Sequence, residues 1–316
     1  MAGAEVIRVG TCSWADESFV KVWYPRGMRS GEERLRYYAE RFSTVEANST
    51  FYRLPDEAMV AGWAERLPEG FVMHVKAFGL MTRHPVKVEV LPSDLRGEAP
   101  IDSRGRVDRP SRELRAEVFR RFLAALEPLR AGGKLGGILM QFPPYVVPKP
   151  SSYEYLEWAK EQLAGHETLV EFRHKSWFEQ PAETVGFLER HGMTYVTVDA
   201  PPSIIPLVVA HTTPTAYVRF HGRNEQTWYK RTGSTAERFD YLYSGEELRV
   251  WARTLRELAA EAETVYAMFN NNGRSPSSDA PWNLLGEVER EQVAQAPTNA
   301  AMLQRLLQAS PPDTRT

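Results

Sequence analysis

The sequence predicts an α/β fold, a closed TIM-type (β/α)8 barrel, on three observations. Short runs rich in β-branched and aromatic residues alternate with longer segments of helical period almost to the end of the chain. Eight such runs can be read, and helical segments separate nearly all of them, which demands parallel pairing because parallel neighbours need a crossover. Polar and ionisable residues then collect at the C-terminal ends of the runs, where barrels of this kind build their sites.

Strands are read, in order, over 6–12, 44–46, 71–76, 135–141, 168–171, 194–199, 216–220 and 264–269. Amphipathic helices are read over 31–42, 56–66, 111–130, 153–163, 182–191, 245–262 and 298–308, with Pro297 placed where the last can begin. The sixth crossing is the exception. Residues 200–215 are proline-rich without helical period, so the barrel is expected to be irregular between strands six and seven. Two connections exceed what a compact domain needs: the charged stretch 79–110, and the polar stretch 270–296 with Ser and Pro at its centre. Either composition fits a lid or a disordered segment. No internal repeat, low-complexity run or domain-sized shift in composition interrupts the pattern, so residues 1–316 read as a single barrel domain carrying these two insertions.

Composition narrows the function classes. With 39 Lys and Arg against 41 Asp and Glu, the net charge is −2, and no whole-molecule field draws the chain onto nucleic acid or an anionic membrane. A nucleic-acid role would need a local basic cleft. The single cysteine, Cys12, excludes a disulfide framework and a multi-cysteine zinc site, and on the first strand it reads as a small core residue. MAGAEVIRVG has no apolar signal core and no apolar run approaches about 18 residues, so a cytoplasmic protein without a membrane partner is expected. HExxH, GxGxxG and GxSxG are absent, and Gly132-Gly133-Lys134 lacks the P-loop spacing. Asn48-Ser49-Thr50 matches the glycosylation sequon, which a cytoplasmic chain does not use.

The strand ends hold the candidate site. GTCSW closes the first strand with Ser13 and Trp14. In TVEANSTFY the period of two puts Glu46 and Asn48 on one face, with Phe51 and Tyr52 beyond. FVMHVKAF aligns His74 with Lys76, the fourth strand ends at Gln141, and LVEFRHKSW pairs Glu171 with Arg173 ahead of Trp177. The sixth ends at Asp199, YVRFHGRN aligns Arg219 with His221, and the eighth ends in Asn270, Asn271 and Asn272.

Loop starts favour small and polar residues, so the charged positions are the informative ones: on a β-rich segment they need partners if buried. Arg173, Arg219, Lys76 and His221 form a cationic donor set suited to phosphate or carboxylate. Glu46, Glu171 and Asp199 can neutralise that set, act as general acid or base, or join His221 on a divalent metal, which the pattern permits without implying. Structural ion pairing inside the mouth is the alternative for each carboxylate. On the functional reading Glu46, Lys76, Glu171, Asp199 and His221 are catalytic candidates. Ser13, Trp14, Asn48, Tyr52, Gln141, Arg173, Trp177, Arg219, Asn270 and Asn271 are candidates for substrate binding. Nearby aromatics, among them Trp23, Tyr24, Phe178, Trp228 and Tyr229, either stack on a ligand or cap the core.

In order along the chain, GTCSW, EANSTFY, VKAF with TRHP, LGGILMQFPP, VEFRHKSW, YVRFHGRN and FNNN resemble the YecE-like family, known as domain of unknown function 72. The resemblance implies a TIM-type barrel, with characteristic positions at the candidates above and at Phe51. Architectural relatedness to barrel endonucleases and sugar isomerases implies phosphate-ester or nucleic-acid chemistry by analogy. The chain departs from the family's usual ending, because 273–296 intervene between FNN and PTNAAML and its Asn299. Three functions are therefore weighed: an enzyme for an anionic, phosphate-bearing substrate, nucleic acid included; a carbohydrate-active barrel using paired carboxylates; and a non-catalytic binding or regulatory module. The first two imply a hydrolase of phosphoester or glycosidic bonds. No cofactor is assigned.

Overall fold

Strands β1 (Ile7–Thr11), β2 (Thr44–Ala47), β3 (Val72–Lys76), β4 (Leu135–Gln141), β5 (Thr168–Glu171), β6 (Thr194–Asp199), β7 (Thr215–Phe220) and β8 (Thr264–Phe269) pair in chain order, all parallel, and β8 returns to β1. The molecule is thus a closed eight-stranded α/β barrel of the TIM type. The structure, a computed structural model, describes residues 6–228, 238–280 and 291–309.

The helices are α1 (Glu17–Val22), α2 (Gly31–Ala39), α3 (Glu57–Arg66), α4 (Arg112–Ala131), α5 (Pro150–Gln162), α6 (Pro181–Arg190), α7 (Glu225–Trp228), α8 (Gly245–Glu261) and α9 (Gln295–Gln308). Local chemistry explains most boundaries. Ser30 with Glu33 and Ser244 with Glu247 form capping boxes that start α2 and α8. Helix α5 starts at Pro150, earlier than the periodicity indicates, because a proline at the first helical position lacks an N–H that would be unpaired there anyway. Helices α1 and α7 span six and four residues, too short for a helical period to register.

Facing directions follow from the register. Paired residues on parallel neighbours share a face, so the pairs Glu46 with His74, Gln141 with Glu171, and Val198 with Arg219 each point one way. Contacts between non-adjacent strands identify that way as the interior. The His74 ring meets Tyr217 at 4.9 Å and Tyr266 at 4.2 Å, edge to face, forming an aromatic floor. The Gly137 N–H donates to His74 Nδ1 at 2.9 Å, and burial pulls the imidazole pKa down to about 3, so it is neutral. A Cβ on Gly136 would come within 2.6 Å of this ring, so only glycine lets β4 pass there.

The crossing from β6 to β7 carries no helix, as expected, yet the pairing is regular from Val196–Tyr217 to Asp199–Phe220. The loop covers the outer face of β6 with polar anchors: Thr212 Oγ1 accepts from the Tyr195 N–H at 2.8 Å. The register shift lies instead between β3 and β4, at Met73 and Val75. The 79–110 insertion is a series of 3-10 turns (Gly79–Thr82, Val88–Val90, Ser93–Glu98) with buried Leu80, Met81, Leu91 and Leu95. Tyr155 Oη ties it down through the Met81 carbonyl at 2.7 Å. In the second insertion, β9 (Arg274–Pro276) and β10 (Gln292–Ala294) form a short antiparallel pair leading into α9, and 281–290 lie outside the described residues. Among the described residues no helix is long and apolar enough to cross a membrane.

Asn299 on α9 is buried, and its amide both accepts from the Tyr243 N–H at 3.1 Å and donates to the Tyr243 carbonyl at 3.0 Å. Asn271 Nδ2 adds a bond to Asn299 Oδ1 at 2.9 Å. Asn299→Ala leaves these buried groups unpaired and is expected to cost about 2–3 kcal/mol, read as a lower urea midpoint at unchanged slope.

Candidate functional site

The upper barrel is organised around Arg219. Its guanidinium is fully buried and lies between two fully buried carboxylates: Nη2 meets Glu46 Oε1 at 2.6 Å, and Nη1 pairs with Glu171 Oε2. These residues come from β7, β2 and β5, so the interaction spans the barrel. Tyr217 donates its hydroxyl to Glu46 Oε2 at 3.0 Å. On the other carboxylate, Glu171 Oε1 pairs with Arg173 Nε and faces His221 Nε2 at 3.3 Å.

Above this layer the partly exposed groups begin. Lys76 Nζ and Arg173 Nη2 both donate to Gln141 Oε1, at 3.0 and 3.1 Å, which holds two cations side by side at the rim. Lys76 Nζ also stands 4.4 Å over the Phe51 ring. His221 Nδ1 meets Asn270 Nδ2 at 3.0 Å, and Asn270 Oδ1 accepts from Asn48 Nδ2 at 3.4 Å. His221 Nε2 in turn lies 3.0 Å from Arg173 Nη2. Asn48 is fixed in turn by its bond to the Cys12 carbonyl at 2.6 Å.

Burial and neighbouring charge set the protonation states. Desolvation acts against Glu171, but Arg173 and Arg219 overcome it and hold the carboxyl well below its usual range. Burial first, and Arg173 second, lower His221 to about 3, leaving the imidazole neutral. Burial and the Arg219 charge bring Lys76 down to about 7, against the partial counter-effect of Glu171 and Glu46. Burial raises the Cys12 thiol well above its usual value.

Residues 8–315 match the sequence model of the family described as protein of unknown function DUF72. The chain belongs to this family. UPF0759 protein YunF of Bacillus subtilis (strain 168) is 31% identical over 301 residues, covering 92% of this chain and 98% of that protein. The crystal structure of a DUF72 family protein from Thermotoga maritima superposes with a TM-score of 0.72 at 31% identity, covering 96% and 100% of the two chains. One from Enterococcus faecalis gives 0.74 at 22% identity, covering 97% of each. The DUF72 likeness and the closed barrel agree on the fold.

Within this DUF72 barrel, Glu46, Lys76, Gln141, Glu171, Arg173, Arg219, His221, Asn48 and Asn270 come together. Asp199 does not. It follows inward-facing Val198 and points outward, where Arg223 binds it in a fork at 2.7 and 2.8 Å and Trp251 of α8 donates to it at 2.5 Å. The catalytic assignment of Asp199 is therefore corrected to a structural ion pair. Trp177 is also removed from the binding set: it is fully buried, stacked on Phe172 at 3.9 Å, and donates Nε1–H to the Val146 carbonyl. Asn271 latches α9 as described above. Trp14 packs edge-on against Trp63 at 5.3 Å, and Ser13 Oγ accepts from the Ala15 N–H, so both serve the local turn. Tyr52 is 68% exposed beside Phe51. Tyr229 lies outside the described residues.

The sequence reading left His84 unassigned. It packs edge-to-face on Phe51 at 4.9 Å, and burial with the charges of Lys76 and Arg173 lowers it to about 3. It belongs to no strand end; only TRHP in the family strings pointed to it. Tyr217, Phe239 and Trp228 also contribute: the last two lie 5.5 and 6.5 Å from the His221 ring, centroid to centroid. Glu46 and Glu171 are committed to Arg219, and among the described residues no three His, Cys, Asp or Glu side chains converge as a metal-ligand set.

Arg219→Met leaves two buried carboxylates without their cation and is expected to cost about 3–5 kcal/mol at pH 7 in urea unfolding. The deficit should shrink on acidification, since unpaired carboxyls in the folded state then take up protons more readily than in the unfolded chain. Lys76→Met should act oppositely. The folded amine titrates near 7 against an ordinary 10.5, so the unfolded chain binds more protons between these values and native stability rises with pH there. The Met variant is thus expected to be more stable than the native chain below pH 7, with the advantage fading towards pH 10.5.

Proposed function

We propose that this DUF72 protein is an enzyme that binds a small anionic, phosphate-bearing substrate at the C-terminal mouth of the barrel. One observation carries the reading. The carboxylates of the cluster are sealed at 0% exposure, whereas Lys76 and Arg173, joined through Gln141, are partly exposed. An approaching ligand meets cations first. Arg173 presents a planar fork of donors, of which Nε faces Glu171 and Nη2 meets Gln141 and His221. Asn48 and Asn270 supply neutral polar groups beside it.

The carbohydrate reading has less support. A pair of glycosidase carboxyls needs one held protonated as the acid and both facing the sugar. Here Arg219 occupies the space between Glu46 and Glu171, and Glu171 is held ionised. These carboxylates act by setting the field and by fixing Arg173 and His221. Chemistry at the mouth falls to Lys76, with His84 beside the same Phe51 ring.

Calorimetric titration with inorganic phosphate and a panel of phosphate monoesters, with and without divalent metals, tests the proposal. The native chain should bind, and Arg173→Met should weaken binding about tenfold to a hundredfold, the loss of one or two charge-assisted hydrogen bonds. Turnover of any panel member separates an enzyme from a binding module. Tight binding confined to oligonucleotides would move the assignment to nucleic acid, and uniform absence of binding and turnover overturns it.

A further inference from the structure

The amine of half-buried Lys76 stands over an aromatic face and has, among the described residues, a single hydrogen bond, to the neutral amide of Gln141. Among the described residues no carboxylate lies within ion-pair distance of it, although Glu46 and Glu171 act on it from the layer below. Those glutamates are already engaged: Arg219 lies between them, Tyr217 bonds to one and Arg173 pairs with the other. A protonated ammonium has three N–H donors, and this site offers an acceptor for one. The charged groups acting on it are Glu171 and Glu46, which favour the ammonium, and Arg219 and Arg173, which oppose it; His84 lies near enough to feel its charge. Their balance with burial leaves much of the amine neutral at physiological pH. An ordinary structural lysine is placed in the reverse way, with its charge paired or in water.

We propose that Lys76 is a nucleophile that captures a carbonyl carbon as a Schiff base, so that the substrate is an aldehyde or ketone bearing a phosphate or carboxylate. This rests on the anion-binding reading above and adds the reacting group. Arg173, sharing the Gln141 oxygen with Lys76, binds the anionic end, which sets the carbonyl of a compact substrate within reach of Nζ. The neutral amine adds to the carbonyl carbon, forming the C–N bond and an alkoxide that takes a proton from nitrogen. The carbinolamine then loses its C–O bond as the second N–H proton goes to the departing hydroxyl, so one carbonyl and one amine give one imine and one water. The neutral imidazole of His84, against the same Phe51 ring, is positioned to relay these protons. The imine nitrogen, protonated from solvent, becomes an electron sink beside the substrate carbon.

Reductive trapping tests this. The full-length protein is incubated with pyruvate, dihydroxyacetone phosphate or the neutral glycolaldehyde, each with cyanoborohydride, and the adduct is mapped by peptide mass spectrometry. One adduct per chain is expected, on the peptide containing Lys76, forming about a hundredfold faster at pH 7 than on ordinary lysines because of its larger neutral fraction. The rate should level off above pH 7 rather than climbing to pH 10. Lys76→Met and Lys76→Arg, confirmed folded by circular dichroism, should lose the adduct. Trapping with glycolaldehyde but no preference for the anionic probes supports the Lys76 chemistry and removes the anion-binding reading. Phosphate binding in the calorimeter with labelling spread evenly over surface lysines keeps that reading and overturns the Schiff base.

Discussion

A guanidinium sealed from water between two sealed carboxylates is the constraint on which the upper half of this barrel depends. Charges at such depth are costly to desolvate, and they persist only where geometry and additional hydrogen bonds return most of that cost. Arg219 meets this condition because β2, β5 and β7 each deliver a partner from a different part of the wall, and Tyr217 completes the acceptors of Glu46. The trio therefore ties together three strands that are not neighbours. It also fixes the electrostatics of everything above it.

That influence explains why ionisable residues so close together differ in behaviour. Glu171 stays charged because two arginines face it, whereas His221, facing the same cations, is kept neutral. Lys76 is one strand away from Glu46 and two from Glu171, and still receives no direct ion pair from either, since their oxygens are already engaged. The barrel thus separates sealed charge, anionic and cationic together, from partly exposed charge at the rim, which is cationic. A net charge of −2 over the chain conceals this arrangement because it averages over the exposed helices.

The same side-chain chemistry serves a different purpose on the outer face. Asp199 and Arg223 reproduce an acid–guanidinium pair like that of Glu171 and Arg219, but they join β6 to α8 through Trp251 instead of facing the cavity. A shift of one residue along the strand decides between the two outcomes.

Alternation of short β-rich runs with helical periods was enough to place all eight strands to within a few residues, because propensity and period are local properties. Charged residues on those runs were equally legible: Glu46, Lys76, Glu171, Arg173, Arg219 and His221 stand where an apolar pattern is broken, and each lies in the cluster. Parity was the missing information for Asp199. Every residue of β6 is buried, so nothing in TYVTVD distinguishes the inner face from the outer, and only the register with Arg219 does so. Trp177 and His84 lie beyond strand ends, where the turn that follows, not the sequence spacing, decides whether a side chain packs inward or reaches the mouth. Which carboxylate meets which cation was likewise beyond a linear reading, since Glu46 and Arg219 are 173 residues apart and their contact exists only once the sheet has closed.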